Sequence, residues 1–278
     1  MGAASGKRSS NTQLAVGSLM VLGLLVVGIG APLLAPFDPL KAVADSFGAP
    51  FTPQPPFLFG TDEIGRDVLS RLIFGARLSL TIAVAATSIT VLIGVLVGVS
   101  AGYFGGRIDS LLMRGTDVVL CFPLLLLAIA LAAISEPGMT TVLVVIGLVG
   151  WTGVARTVRA EVLSLKEREF VLAAKAMGAS SWRVVSAHIL PNVLRTVAVM
   201  AALSTCNTLL LDAGLSFLGL GIPAPAPSWG RMLSDSEAYY RVAPWLMIFP
   251  GLAIVYAVVA SNLLGYGLAA ASERSSTS

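Results

Sequence analysis

The sequence predicts an all-α membrane protein with six transmembrane helices and both termini in the cytoplasm. Three observations carry this expectation: a mean hydropathy of +0.87 with only 12% charged residues, a series of apolar runs long enough to cross a bilayer, and an uneven distribution of Lys and Arg between alternate connections. About a quarter of the residues in a soluble domain are charged. A chain this apolar cannot cover a globular surface with polar groups.

The first run, Leu14 to Leu34, follows Lys7 and Arg8. It exceeds the roughly 7 to 15 residues of a signal-peptide core, so it reads as an uncleaved first helix. The others are Leu78 to Phe104, which carries no charge, Val118 to Ser135, Met139 to Ala155, Val193 to Ala213 and Val242 to Leu268. At 1.5 Å per residue each approaches or exceeds a hydrocarbon core of about 30 Å. With spans so placed, 12 of the 18 Lys and Arg residues fall on the side of the termini, against six on the other. Basic residues are retained on the cytoplasmic face, so the net charge of +3 is a topology signal. It is not a nucleic-acid footprint, because no basic cluster alternates with aromatics. Cys121 and Cys206 lie in apolar runs and read as buried small hydrophobes.

Three connections are too long to be simple turns. The outer one from Pro36 to Gly75 is proline-rich at first and then amphipathic, from Asp67 to Phe74, as a segment lying against the membrane. The outer connection from Ser216 to Ala243 has Pro223, Pro225 and Pro227 at alternate positions, expected as a polyproline-like strut. The inner connection, 156–191, is the most polar part of the chain and reads as two short helices. The chain divides into an N-terminal helix with its extracytoplasmic loop, 1–75, and a five-helix membrane domain, 76–272. Gly94, Gly98 and Gly102 recur every four residues, the spacing that lets another helix approach closely.

Several apparent catalytic signals fail. Ala3 to Arg8 ends like a phosphate loop, but lacks the opening glycine and the Ser/Thr that would hold Mg²⁺. Gly214 to Gly219 is one residue too long for a nucleophile elbow, and His188 lies across the membrane from it. One histidine without neighbouring ligands completes no metal site. The chain is expected to bind no cofactor or metal and to be no enzyme by itself. Asp117 is expected to pair with Arg114 on one helix face. Asp212 lies within an apolar run, where ionisable residues are costly, and is a candidate for lining a polar path.

Ser164-Leu165-Lys166-Glu167 has the pattern of a capping box, and Gly178 is a natural helix stop. Between them Phe170, Ala173, Ala174 and Met177 are expected on one face, flat enough to seat in a groove of another protein.

The stretch Glu169 to Gly178, followed by His188-Ile189-Leu190-Pro191-Asn192, resembles the EAA loop of permease subunits in binding-protein-dependent ABC importers. Phe59 to Arg71, with Gly60, Thr61, Asp62, Gly65, Arg66 and Asp67, and Leu215 to Gly230 are similar to the C-type permease of the dipeptide, oligopeptide and nickel branch. The resemblance implies a type I ABC importer permease fold in the inner membrane of a prokaryote. It implies a homologous second permease, two cytoplasmic ATPase subunits that carry ATP and Mg²⁺, and an extracytoplasmic substrate-binding protein. By the same resemblance Ala173, Ala174 and Gly178 belong to the helix that docks on the ATPase, and Pro191 opens the next membrane helix. Leu172 stands where that motif commonly has an acidic residue. Peptide is the first expected cargo and nickel or a metal chelate the second; a stand-alone carrier or channel is the alternative of another class.

Overall fold

The computed structural model describes residues 2–43 and 52–275, with side chains over 11–43 and 52–272. Pro50 and the side chains of Lys7, Arg8 and Arg274 lie outside the described residues. The described chain is helical: α1 Gly2–Ile29, α2 Ala31–Leu34, α3 Val68–Phe104, α4 Gly106–Leu120, α5 Leu124–Ala133, α6 Met139–Leu165, α7 Glu169–Ala176, α8 Ser181–Val184, α9 Leu190–Phe217, α10 Trp229–Ser236 and α11 Trp245–Ser275. Among the described residues five helical stretches are long and apolar enough to cross a membrane, with α8 and α9 counted as one through the π-turn Val185–Ile189.

The third expected span is not one helix. The chain breaks between α4 and α5 and turns by 83°. Pro123 is the cause, since it donates no N–H and its ring crowds the preceding turn. As a bent pair the two pieces form a sixth possible crossing. Cys121, at the break, is exposed rather than buried. Asp117 pairs with Arg156 of α6, not with Arg114. Asp109 makes a two-pronged contact to Arg159, so α4 is fastened to α6 by two ion pairs.

The stretch from Val68 to Gly75 is not a separate segment. It forms the first two turns of α3, a helix of 37 residues, and the expected boundary at residue 75 falls inside it. The proline-rich connection after α9 is no straight strut either. It turns at 218–219 and 224–225, which returns the chain to bury Trp229 against α3.

Helices in lipid gain little from hiding apolar surface from one another and depend on close packing. The principal contact is between α3 and α6. A Cβ on Gly94 would lie 2.6 Å from Val154 Cβ, one on Gly98 2.6 Å from the Ala155 carbonyl oxygen, and one on Gly102 2.8 Å from Val162 Cβ. These glycines thus admit the Val154–Val158–Val162 ridge. A similar approach joins α1 to α11, where Gly17 meets the Leu264 backbone and Gly267 that of Leu14.

Pro191, in the first turn of α9, would interrupt a continuous helix from Ser181. The π-turn absorbs it, with the Leu190 N–H donating to Val185 O five residues back. Widened turns of this kind accommodate a missing donor.

Candidate functional site

Two polar regions stand at opposite ends of α3. At one end α6 runs ten residues beyond its expected limit, through Arg156, Arg159 and Glu161, and stops at Leu165. The chain then enters α7 at Glu169 with Arg168 at the cap position. Ser164 therefore lies inside α6 and does not cap α7, because the valine ridge of α6 keeps packing through Val162 and carries the helix past the local cap signal. Glu169 in the first turn and Lys175 in the last complement the helix dipole. The C-terminus closes with two bonds, Ala179 N–H to Ala174 O and Gly178 N–H to Lys175 O. This closure needs a left-handed residue, and Gly178 supplies it at φ +82° with open space around it.

Side chains on α7 divide sharply. Val171 and Ala174 are buried, in one cluster with Val158, Val162, Val184 and Ile189 in the case of Val171. Phe170, Leu172, Ala173 and Met177 are exposed, Met177 to 83%. Ala174 thus faces the core of its own chain, apart from Phe170, Ala173 and Met177, with which it was grouped by periodicity. Trp182, 78% exposed on α8, extends the outward surface. Its signal in the sequence was a tryptophan in the polar segment 180–183, four residues beyond Gly178. Pro191 does not reach this surface; it sets the geometry of the turn behind it. An open cleft of about 740 Å³ runs beside α7, with Glu167, Glu169, Phe170 and Arg195 in its walls.

At the other end, the loop from Gly60 to Asp67 is a tight, buried turn. Gly60 and Gly65 take φ of 78° and 83°, Asp62 N–H donates to Arg66 O, and Val68 N–H donates to Gly60 O. Asp62 Oδ1 accepts from the N–H groups of Ile64 and Arg66. Asp67 caps α3 by accepting from Ser70 N–H at 2.7 Å and Ser70 Oγ–H at 2.6 Å. Thr61, Asp62, Arg66, Asp67 and Arg71 are all buried.

A chain of alternating charges crosses the buried region from this loop to α10. Arg66 Nε lies 2.6 Å from Asp62 Oδ2, and Arg71 Nε 3.4 Å from the same oxygen. Arg71 Nη2 reaches Asp235 Oδ2 at 3.6 Å, and Arg231 Nε meets Asp235 Oδ1 at 2.8 Å. Glu63 adds a contact to Arg66 at 3.4 Å, which brings the set to three cations and three carboxylates. Burial raises the Glu63 pKa, Asp62 and Asp235 adding to the rise and Arg66 opposing it. Trp229 anchors the same corner: its N–H donates to Ser79 Oγ and its indole N–H to Leu72 O, while its ring occupies the space a side chain at Gly75 would need. Sequence reading missed Arg71, Arg231 and Asp235 as partners. The i, i+4 spacing of Arg231 and Asp235 was their one local signal.

Asp212 lies inside the helix packing at 2% exposed, with no hydrogen-bond partner for Oδ1 among the described residues. One turn before it Thr208 bonds to Thr87 of α3, hydroxyl to hydroxyl, at 3.1 Å.

Residues 94–277 match the family described as the inner membrane component of binding-protein-dependent transport systems. The chain belongs to this family. It is 41% identical to the dipeptide transport system permease protein DppC of Alkalihalophilus pseudofirmus over 91% of its length and 83% of the relative's. It is 38% identical to the oligopeptide transport system permease protein OppC of Haemophilus influenzae, over 94% and 85%, and 39% identical to DppC of Bacillus subtilis, over 94% and 82%. It is accordingly a multi-pass inner membrane permease subunit of the C type, with the type I importer fold, in a binding-protein-dependent transport system.

Proposed function

We propose that this permease forms, with a homologous second permease, the path by which di- or oligopeptides enter the cell, driven by two cytoplasmic ATPase subunits that hold ATP and Mg²⁺. The observation that carries the coupling role is the divided surface of α7. Val171 holds the helix on the valine core and Ala174 is buried as well, while Phe170, Leu172, Ala173, Met177 and Trp182 stand exposed in a stretch charged by Glu167, Arg168, Glu169, Lys175 and Arg183. An exposed apolar patch in such a setting marks a protein contact, and a short helix with apolar knobs suits a groove on an ATPase. The seal of α7 against α6 would pass movement of that helix to the bundle. The loop Gly60 to Asp67, stiffened by its ion pairs, would face the binding protein. The carriage of peptides is supported by the relatives' names.

This reading puts the α7 end in the cytoplasm. A cysteine at Lys41 or Glu237, both exposed, should react with an impermeant thiol reagent from outside, and one at Arg168 only in opened membranes. The coupling test compares two substitutions. Met177→Glu alters an exposed side chain and should leave permease abundance unchanged while peptide uptake falls at least about tenfold, as expected for a central contact worth 1–2 kcal/mol or more. Ala174→Glu should instead lower abundance, because it drives a charge into the permease's own core. Full uptake in Met177→Glu, with normal abundance, would remove α7 as the coupling surface.

A further inference from the structure

A groove of about 440 Å³ opens between α1 and α3, two helices long and apolar enough to cross a membrane. Leu25, Gly28 and Ile29 form one wall, and Leu80, Thr81 and Val84 the other, with Arg77 at its head. Ile29 and Val84 are exposed to 78% and 56%, as befits side chains that meet lipid. Arg77 comes immediately before the charge-free run from Leu78 to Phe104, so it sits at the level where α3 passes from hydrocarbon to headgroups. Unlike Arg66, Arg71 and Arg231 nearby, it is exposed, and its guanidinium makes no ion pair with a described carboxylate.

We infer that this groove holds a single phospholipid with an anionic headgroup, its phosphate on the Arg77 guanidinium and one acyl chain along Leu25, Leu80 and Val84. A guanidinium presents a planar fork of donors that matches phosphate oxygens two at a time. The walls are aliphatic and the volume lies in the range of small-molecule sites. Charge selects the headgroup. Among the described residues the groove contains one cation and no carboxylate, so it offers no anion to the ammonium of phosphatidylethanolamine, whereas phosphatidylglycerol brings a phosphate with no cation of its own. Gly28 keeps the groove open, since a Cβ there would come into ordinary contact with Arg77 Cα and Leu80 Cδ1, at 3.4 and 3.5 Å; a longer side chain would fill it. The site differs from the coupling surface and the ion-paired loop, and does not depend on the cargo or on the coupling role of α7.

The test uses the assembled transporter in nanodiscs of phosphatidylethanolamine and phosphatidylglycerol, extracted into mild detergent, with retained lipid counted by native mass spectrometry. The parent should keep phosphatidylglycerol in excess over its share of the disc. Arg77→Gln should reduce that excess about fivefold, the worth of one basic residue at an anionic surface, and Arg77→Lys should restore most of it. Gly28→Leu should remove both lipids from the groove without changing assembly. Equal retention of phosphatidylglycerol in parent, Arg77→Gln and Gly28→Leu would overturn the assignment. So would a cysteine at Val84 that cross-links to the second permease, which would mean that a protein helix fills the groove.

Discussion

Arg71→Met tests whether the charges at the head of α3 act as one unit. Arg71 is 2% exposed and lies between Asp62 and Asp235, with Pro39 O as a third acceptor at 3.4 Å. Removing one partner of a buried ion pair costs about 3–5 kcal/mol. Here neither carboxylate would be left bare, because Asp62 keeps Arg66 at 2.6 Å and two backbone N–H groups, and Asp235 keeps Arg231 at 2.8 Å. Met also fills the volume of the arginine stem. The expected cost is therefore at the low end, about 3 kcal/mol. With about 2–4 °C per kcal/mol for a domain of 150–250 residues, the melting temperature should fall by roughly 6–12 °C. Intrinsic tryptophan fluorescence of the purified permease is the assay, since Trp229 reports on this corner. Asp235→Asn, alone and with Arg71→Met, completes a cycle in which neighbours should couple by at least about 0.5 kcal/mol. A melting point within about 1 °C of the parent for Arg71→Met, together with additive effects in the cycle, would refute the claim that these charges form one structural unit.

Gly98→Leu should disrupt the seam between α3 and α6. Its Cβ alone would sit 2.6 Å from the Ala155 carbonyl, so overpacking of at least about 1–3 kcal/mol should lower the amount of folded permease in membranes far more than Gly28→Leu does; equal, parental levels of both would remove the argument. Glu63→Gln tests pH dependence. Because the folded-state pKa of Glu63 is raised, its contribution to stability is fully present below the ordinary carboxylate pKa of about 4.3 and is lost as pH rises through the folded value. Gln mimics the protonated form, so Glu63→Gln should match the parent in acid and melt higher at neutral pH; a variant less stable at neutral pH than in acid, relative to the parent, contradicts this. Trp229→Phe keeps most of the ring over Gly75 but removes the indole N–H bond to Leu72 O, whose oxygen keeps its bond within α3, at a cost of about 0.5–1.5 kcal/mol. Thermal melting checks it, and an unchanged value would show that the indole N–H bond is not needed.

What the sequence determined by itself follows from local chemistry. Apolar runs interrupted by charge specify membrane helices because every backbone group in lipid must bond within its own helix, and this holds whatever the neighbours are. Helix stops at Gly178 and the close-packing signal of Gly94, Gly98 and Gly102 are also readable residue by residue, as is the family resemblance of the segments 169–178 and 60–67. The tertiary structure decided what depends on partners distant in the chain. Periodicity put Ala174 on one face with Phe170 and Met177, but only the valines of α6 and α9 determine which side of α7 is inside. Arg71 reads as a charge on an amphipathic surface segment until Asp235, 164 positions later in the numbering, is brought against it by the fold of α10. The capping pattern at Ser164 lost to α6, because a helix stops where its packing ends rather than at the first local signal. A short sequence window contains the propensity and the charge; it does not contain the opposite wall, and burial is a property of both.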